Sequence, residues 1–438
     1  MRIAVVNWSS RRVGGTETYL CNIVPELVRL GHEVAFRCET DKPQGREPIT
    51  LPEGTPVWCA SKMGARRALS ALREWRPDLI YSHGIHTPGL ELKTLRVAPA
   101  VFFAHTYHGT CISGAKTFKR PVVTPCDRRF GWRCLAHYYP RRCGGLSPLT
   151  MVRLFRTQSQ RLEVVRQYEA VITHSSHMQA EYLKHGLRPE RVFNLSYYAH
   201  SAFNMLAESL AAAPLSDERE SSARAERTHY RLLFLGRMDY LKGGRTLIAA
   251  LPEIAEGLDR PVRVAFAGDG PDRAGWERKA AEAQKKGSGF ECEFLGWVPR
   301  GRLDELLGGC DLLVFPSLWP EPFGLAGPEA GLRGVPVAAF DVGGISDWLK
   351  DGINGHLAPG DPPTAEGLAR AVVECLRDPR AHAQLRRGAL EVAQRFNLKT
   401  HITALLEIFG QIVAEGRRGD AAGISSNAYA QRPVGSEP

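Results

Sequence analysis

The side chains best equipped for chemistry in this 438-residue sequence include two carboxylates eight residues apart, Glu321 and Glu329, in the stretch FPSLWPEPFGLAGPEA. Paired carboxylates of this kind can cleave a glycosidic bond as acid and nucleophile. A second pair, Arg237 and Lys242, lies five residues apart in GRMDYLKGG, between an apolar run and a helical pattern. A helix N-terminus there offers unpaired N–H groups and positive partial charge, and a guanidinium with an ammonium completes a diphosphate clamp that needs no metal. Either cation alone reads as solvated loop charge; together, on a strand-to-helix turn, they read as a clamp. A hydrolase needs no diphosphate site, and the two glutamates share one loop, so hydrolysis is the weaker reading. Pro328 suits the first position of a helix, which would put Glu329 in its first turn and Glu321 in the loop before it. Gly268-Asp269-Gly270-Pro271 ends another apolar run, where glycines admit a ligand to the backbone or simply make a turn.

The first half carries a different cluster. Cys111, Cys126, Cys134 and Cys143 place four of the ten cysteines within 33 residues, spaced C-x14-C-x7-C-x8-C with no CxxC. Two readings stay open, a zinc site or reduced thiols that pack. Between Ala115 and Arg166 there are twelve Lys or Arg against two acids, Asp127 and Glu163, which equals the +10 of the whole chain. Phe130, Trp132, Tyr138 and Tyr139 interleave with these cations. Such a mixture suits an anionic membrane surface, against the plain alternative of a solvated face; nucleic acid is the disfavoured partner.

Positioning these groups falls to alternating strands and helices. Ile3–Asn7 reads as a buried strand, Thr16–Leu30 as a helix, and Val34-Ala35-Phe36 as the next strand, with further apolar runs at 79–81, 100–104 and 171–173. A second alternation starts at Arg231. This predicts two doubly wound α/β domains: 1–206, with a basic Cys-rich insertion at about 106–166, and 230–395, joined by a linker or loop at 207–229. A helix at 396–415 is expected to pack back on the first domain, and 416–438 to be a disordered tail. At 43% hydrophobic and 24% charged the chain is an ordinary globular one. No apolar run approaches a membrane span, and the N-terminal strand is not followed by a cleavage site, so the expected location is cytoplasmic.

The motifs GR-x4-KG, GDGP, EPFGLAGPE and GVPVAAFDVGGISDWLKDGING, with GGTETYLCNIVPELVRLGHEV and PDLIYSHG in the first half, resemble the family 4 retaining glycosyltransferases over roughly residues 1–410. The resemblance implies the GT-B fold, two Rossmann-like domains facing each other across a cleft. It implies that Arg237 and Lys242 bind the donor diphosphate and Glu329 the ribose hydroxyls. Glu321 would contact the transferred sugar, with backbone N–H groups of Phe323, Gly324 and Leu325 lining its pocket. Gly14 and Gly15 would let the first-half loop close over the phosphates, Gly268 would border the donor, and His105 would face the reacting sugar. His105 and Cys111 match the spacing of a family subset with further cysteines, although Thr106 stands where an Asp is common. The implied reaction moves a sugar from a nucleotide-sugar to a saccharide or lipid-linked saccharide, in cell-surface polysaccharide or glycolipid synthesis on the inner face of the membrane. No cofactor is implied for catalysis. A GT-B sugar-nucleotide epimerase and a non-catalytic protein binding anionic lipid or nucleic acid are the alternatives.

Overall fold

A computed structural model describes residues 1–199, 227–287 and 289–428, with backbone alone for 300 and 417–428. The first half is a seven-stranded parallel sheet. Its strands are β1 (Arg2–Ser9), β2 (Glu33–Thr40), β3 (Val57–Cys59), β4 (Leu79–Ser82) and β5 (Ala100–Phe103), followed after an antiparallel hairpin, β6 (Thr117–Phe118) and β7 (Thr124–Pro125), by β8 (Ala170–Thr173) and β9 (Val192–Asn194). The order across the sheet is β3-β2-β1-β4-β5-β8-β9. In β1, Ile3, Ala4, Val5 and Val6 are all fully buried. Helices cover both faces of such a sheet, so its strands read as continuous apolar runs rather than alternating ones.

The helices of this half are α1 (Gly15–Arg29), α2 (Ala60–Met63), α3 (Ala65–Trp75), α4 (Pro88–Leu95), α5 (Arg133–Tyr138), α6 (Pro148–Val165) and α7 (Ser176–Lys184). Helix α6 starts at Pro148, because Ser147 caps it by accepting from the Thr150 N–H and Pro148 fits the first turn.

The second half repeats the plan with β10 (Tyr230–Leu235), β11 (Val262–Ala267), β12 (Phe290–Gly296), β13 (Leu312–Phe315), β14 (Val337–Phe340) and β15 (Gly355–Ala358), ordered β12-β11-β10-β13-β14-β15 and all parallel. In both sheets the order reverses beside the first strand of that half. Open α/β sheets bind ligands in the crevice at this point, outside the carboxyl ends of the strands. The loops leaving β1 and β10 there are the ones that carry Gly14-Gly15 and Arg237–Lys242.

The last helix, Leu398–Ala428, returns to the first half: Ile402, Leu405, Phe409, Ile412 and Val413 are buried, and the Phe409 ring meets Tyr81 at 4.9 Å. It runs on past Gly416, where the sequence predicts a disordered tail; residues 429–438 lie outside the described residues, as do 200–226, most of the expected linker. Among the described residues, no helix is long and apolar enough to cross a membrane.

The insertion between β5 and β8 is pinned from within. Lys116 and Glu181, both almost fully buried, form an ion pair at 2.5 Å, and the Lys116 ammonium also donates to the Arg128 carbonyl at 2.5 Å. The His185 Nε2 accepts from the Phe130 N–H at 2.8 Å. Removing one partner of such a buried pair costs about 3–5 kcal/mol, so the insertion is locked to α7.

Candidate active site

Two glycines set the geometry of the second-half loops. Gly243 ends the turn after β10 with φ +74, and a Cβ there would lie 1.7 Å from the Pro316 carbonyl oxygen. This close approach seats the turn against the loop after β13. Gly268, with φ +138, would place a Cβ 1.9 Å from the Gly236 carbonyl oxygen, so the turns after β10 and β11 pack backbone to backbone. In contrast, Gly14 is extended (φ −164) and Gly15 has open space at its Cβ position. Neither needs to be glycine for backbone reasons.

The seating of Gly243 brings Lys242 to Glu321. The Lys242 ammonium lies 2.6 Å from Glu321 Oε1, which also accepts from the Ser317 hydroxyl at 2.5 Å, and Glu321 is only 4% exposed. The ammonium stands 5.3 Å from the Trp319 ring centroid and 6.0 Å from that of Phe315, within cation–π range. Arg237 points outward, its side chain 72% exposed and 3.9 Å from Asp239. The structure therefore joins Lys242 to Glu321 and leaves Arg237 at the rim.

Glu329 lies in the first turn of the helix Ala326–Gly331, as the sequence predicts, but that helix begins two residues before Pro328. Glu329 and Leu325 line a cavity of about 240 Å³ whose opposite wall is Gly15, Thr18 and Tyr19 of α1, with Tyr197 and Tyr198. Residues of the two halves thus face one another across a single space. The Phe323 side chain packs against Tyr197, one of the lining residues, and against His174 and Phe396. Its carbonyl accepts from the Trp348 indole N–H at 2.6 Å.

His105 reaches this region through Tyr197. Its Nδ1 is bonded to the Tyr197 hydroxyl and its Nε2 to His83 Nδ1 at 2.7 Å. Burial, with His83 adding to it, drives the His105 pKa well below the usual range, and burial takes His83 down to about 3. Both rings are neutral at neutral pH and can pass hydrogen bonds without carrying charge.

Sequence reasoning misses a set of first-half groups that hold the glutamate loop. The Tyr107 hydroxyl donates to the Pro320 carbonyl at 2.7 Å, so His177 Nε2, 2.8 Å away, donates to the Tyr107 oxygen. The Ser175 hydroxyl donates to the Pro322 carbonyl at 2.6 Å, and the Ser176 N–H to Asp347 at 2.6 Å. The carbonyls on either side of Glu321 are both held from the other half. No local signal marks these residues, because Tyr107 and Pro320 are 213 positions apart in the chain.

The structure draws the four cysteines of the insertion together: Cys111, Cys126 and Cys134 all lie close enough to Cys143 for their charges to act on it. Cys111, Cys126, Cys134 and Cys143 are free thiols, and among the described residues no three His, Cys, Asp or Glu side chains are arranged to hold a metal ion. Two of the sulfurs also bond within their own segment. Cys111 Sγ accepts from the Lys116 N–H at 3.3 Å, and the Cys143 thiol donates to the His137 carbonyl at 3.7 Å. Burial raises the thiol pKa values of Cys126 and Cys134 and pushes Cys143 up to about 12, which favours the protonated form.

Comparison with known proteins agrees with this architecture. Residues 13–193 match the family described as Glycosyltransferase Family 4, and residues 216–392 match Glycosyl transferases group 1. The chain is 26% identical to a glycogen synthase of Mycobacterium tuberculosis (strain ATCC 25618 / H37Rv) over 93% of its own length and 94% of that protein's. It is 36% identical to a 2-deoxystreptamine glucosyltransferase of Streptomyces kanamyceticus over 38% of this chain and 41% of that one. The fold is shared with Anabaena Alr3699/HepE, solved with UDP and glucose, at TM-score 0.63 and 20% identity, covering 94% of this chain and all of that one. With both halves matched in order and two parallel α/β sheets meeting at one cavity, the chain belongs to the family 4, group 1 glycosyltransferases of GT-B fold.

Proposed function

We propose that this transferase moves a sugar from a nucleotide-sugar donor to a saccharide or lipid-linked saccharide, with retention of anomeric configuration. The observation that carries the reading is the cavity in which Glu329 and Leu325 of one half face Gly15 and Tyr19 of the other. The donor lies against the second half. Arg237 and Lys242 neutralise its diphosphate, Glu329 takes the ribose hydroxyls, and Gly268 borders the nucleotide. Glu321 and the backbone N–H groups of Phe323, Gly324 and Leu325 hold the transferred sugar.

On this reading Lys242 exchanges its partner when the donor arrives. Without donor it stabilises the buried Glu321 carboxylate; with donor it turns to the phosphate, and Glu321 becomes free to accept sugar hydroxyls. Retaining transfer develops positive charge on the sugar as the nucleotide leaves as an anion. Fixed cations at the phosphate and oriented dipoles at the sugar stabilise that separation. Closure of the two halves excludes the water that would otherwise hydrolyse the donor. His105, neutral and tied to Tyr197, orients groups at the sugar rather than supplying charge. The acceptor enters from the first half, on the route of cell-surface polysaccharide or glycolipid synthesis at the inner face of the membrane. The chemistry needs no cofactor, since Arg237 and Lys242 do what a metal would do at the diphosphate. Solved Anabaena Alr3699/HepE with UDP and glucose, and the name glycogen synthase for a full-length relative, support this choice of donor.

The test is a thermal-shift panel of nucleotide-sugars on purified protein, without added metal and again with EDTA. A selective upward shift with one nucleotide-sugar, insensitive to EDTA, is expected. No shift with any nucleotide or nucleotide-sugar would overturn the reading.

A further inference from the structure

The basic insertion contributes no side chain to the cavity just described, yet its surface is unlike the rest of the molecule. Twelve large hydrophobic side chains stand exposed among the described residues, and five of them, Val122, Trp132, Leu146, Leu149 and Val152, fall within 31 consecutive positions. Leu149 is 84% exposed, Trp132 70% and Leu146 64%. Apolar groups this exposed, gathered in one place, mark a contact surface rather than ordinary scatter.

Their arrangement follows from α6. Leu149, Val152, Arg153 and Arg156 recur at three- and four-residue spacing along its N-terminal half and are all exposed, so they form one outward stripe. The opposite side, with Gln158, Leu162 and Val165, is buried. The other segments pack around this helix. The Phe130 ring meets Phe155 of α6 at 5.3 Å, and Trp132 follows two residues later. The β6–β7 hairpin, which carries Arg120 and Val122 at its turn, is tied down by the Lys119 N–H donating to the Arg141 carbonyl at 2.8 Å. Arg120, Arg128, Arg129 and Arg133 of the same segments are exposed too, the Arg133 guanidinium 5.6 Å from the Trp132 ring centroid, and Asp127, next to Arg128, is already paired with Lys184.

We propose that this surface, formed by the hairpin turn, the start of α5 and the outward stripe of α6, docks on an anionic lipid bilayer. The partner is a membrane rather than a protein because of what the patch combines. Trp and Leu tips protrude singly from different segments, as insertion among lipid headgroups requires. Exposed arginines of the same segments would meet lipid phosphates. The docked unit is rigidly linked to the cavity: Lys116 locks it to α7, and Ser175 at the start of α7 bonds the Pro322 carbonyl beside Glu321. A lipid-linked acceptor would then be presented by the same surface that holds the enzyme. That last step rests on the proposed transferase reading, while the docking itself does not.

The experiment is co-sedimentation of the full chain with vesicles of phosphatidylcholine alone or mixed equally with phosphatidylglycerol. Strong binding to the anionic vesicles, weakened by salt, is expected. Each basic side chain at an anionic surface is worth about a fivefold change in partitioning. Arg153→Glu with Arg156→Glu should therefore lower binding at least about tenfold, and Trp132→Ala with Leu149→Ala should lower it at any salt concentration. All four positions are exposed, so the variants should keep the wild-type melting temperature and nucleotide-sugar shift. Wild-type protein that binds both vesicle types equally or not at all, or variants that bind as wild type does, would overturn the proposal. A missing nucleotide-sugar shift in a protein that still docks would instead overturn the transferase reading.

Discussion

Changing Tyr107 to Phe deletes one hydroxyl and keeps the ring that packs 6.1 Å from Trp319. The lost O–H is the donor to the buried Pro320 carbonyl, so the change isolates a single bond between the halves. Leaving a buried acceptor without its partner costs about 1–3 kcal/mol. If the halves close around that bond, the closed population falls about 5- to 150-fold relative to the open one. His177 also loses a partner, but it is half-buried and water can replace the hydroxyl. Turnover of the donor selected in the thermal-shift panel should fall about tenfold or more, and the radius of gyration in solution scattering should rise. Tyr138→Phe is the control: its hydroxyl belongs to the same insertion and is buried with no hydrogen bond among the described residues. It should leave turnover unchanged. A Tyr107→Phe protein with wild-type turnover and scattering, and only a lower melting temperature, would refute the argument, because the bond would then stabilise the fold without governing closure.

Lys242→Ala should weaken donor binding by about 10- to 100-fold in calorimetry, the worth of a charge-assisted bond to phosphate; an unchanged affinity would remove Lys242 from the clamp. Glu321→Gln should lower turnover about 100-fold while donor affinity moves less than about threefold, and equal losses in both would show that Glu321 only binds. Gly243→Ala should destabilise the second half by about 2 kcal/mol or more in urea unfolding, given its φ of +74 and the Pro316 carbonyl in the way. The last expectation concerns pH. Burial holds His83 at about 3 and His177, His185 and His401 at about 4, below the usual value of 6.5. Between these limits the unfolded chain binds more protons, so stability is full above pH about 6.5 and falls as pH drops toward about 4. Equal urea midpoints at pH 7.5 and 5.5 would contradict this.

What could be read directly from the sequence was local. The strand-to-helix turns, the spacing of Arg237 and Lys242, the first-turn place of Glu329 and the basic run at 115–166 each depend on residues within a few turns of one another. Apolar periodicity and turn chemistry act at that range, so the alternation of two α/β halves was legible without coordinates. Even there Pro328 misled, since a proline suits any position in a helix's first turn. The tertiary structure decided everything that joins distant segments. Only the fold sets Lys242 on Glu321, through a glycine that lets one turn touch the backbone of another. It alone brings Tyr107 and Ser175 to the carbonyls beside Glu321, and it alone gathers Cys111, Cys126 and Cys134 near Cys143. Nor could composition show which side of α6 faces outward, since that depends on where Phe130 and Leu162 are buried. Contacts between residues 79 to 213 positions apart leave no periodic trace in a sequence, because each is fixed by the packing of whole sheets and not by its neighbours in the chain.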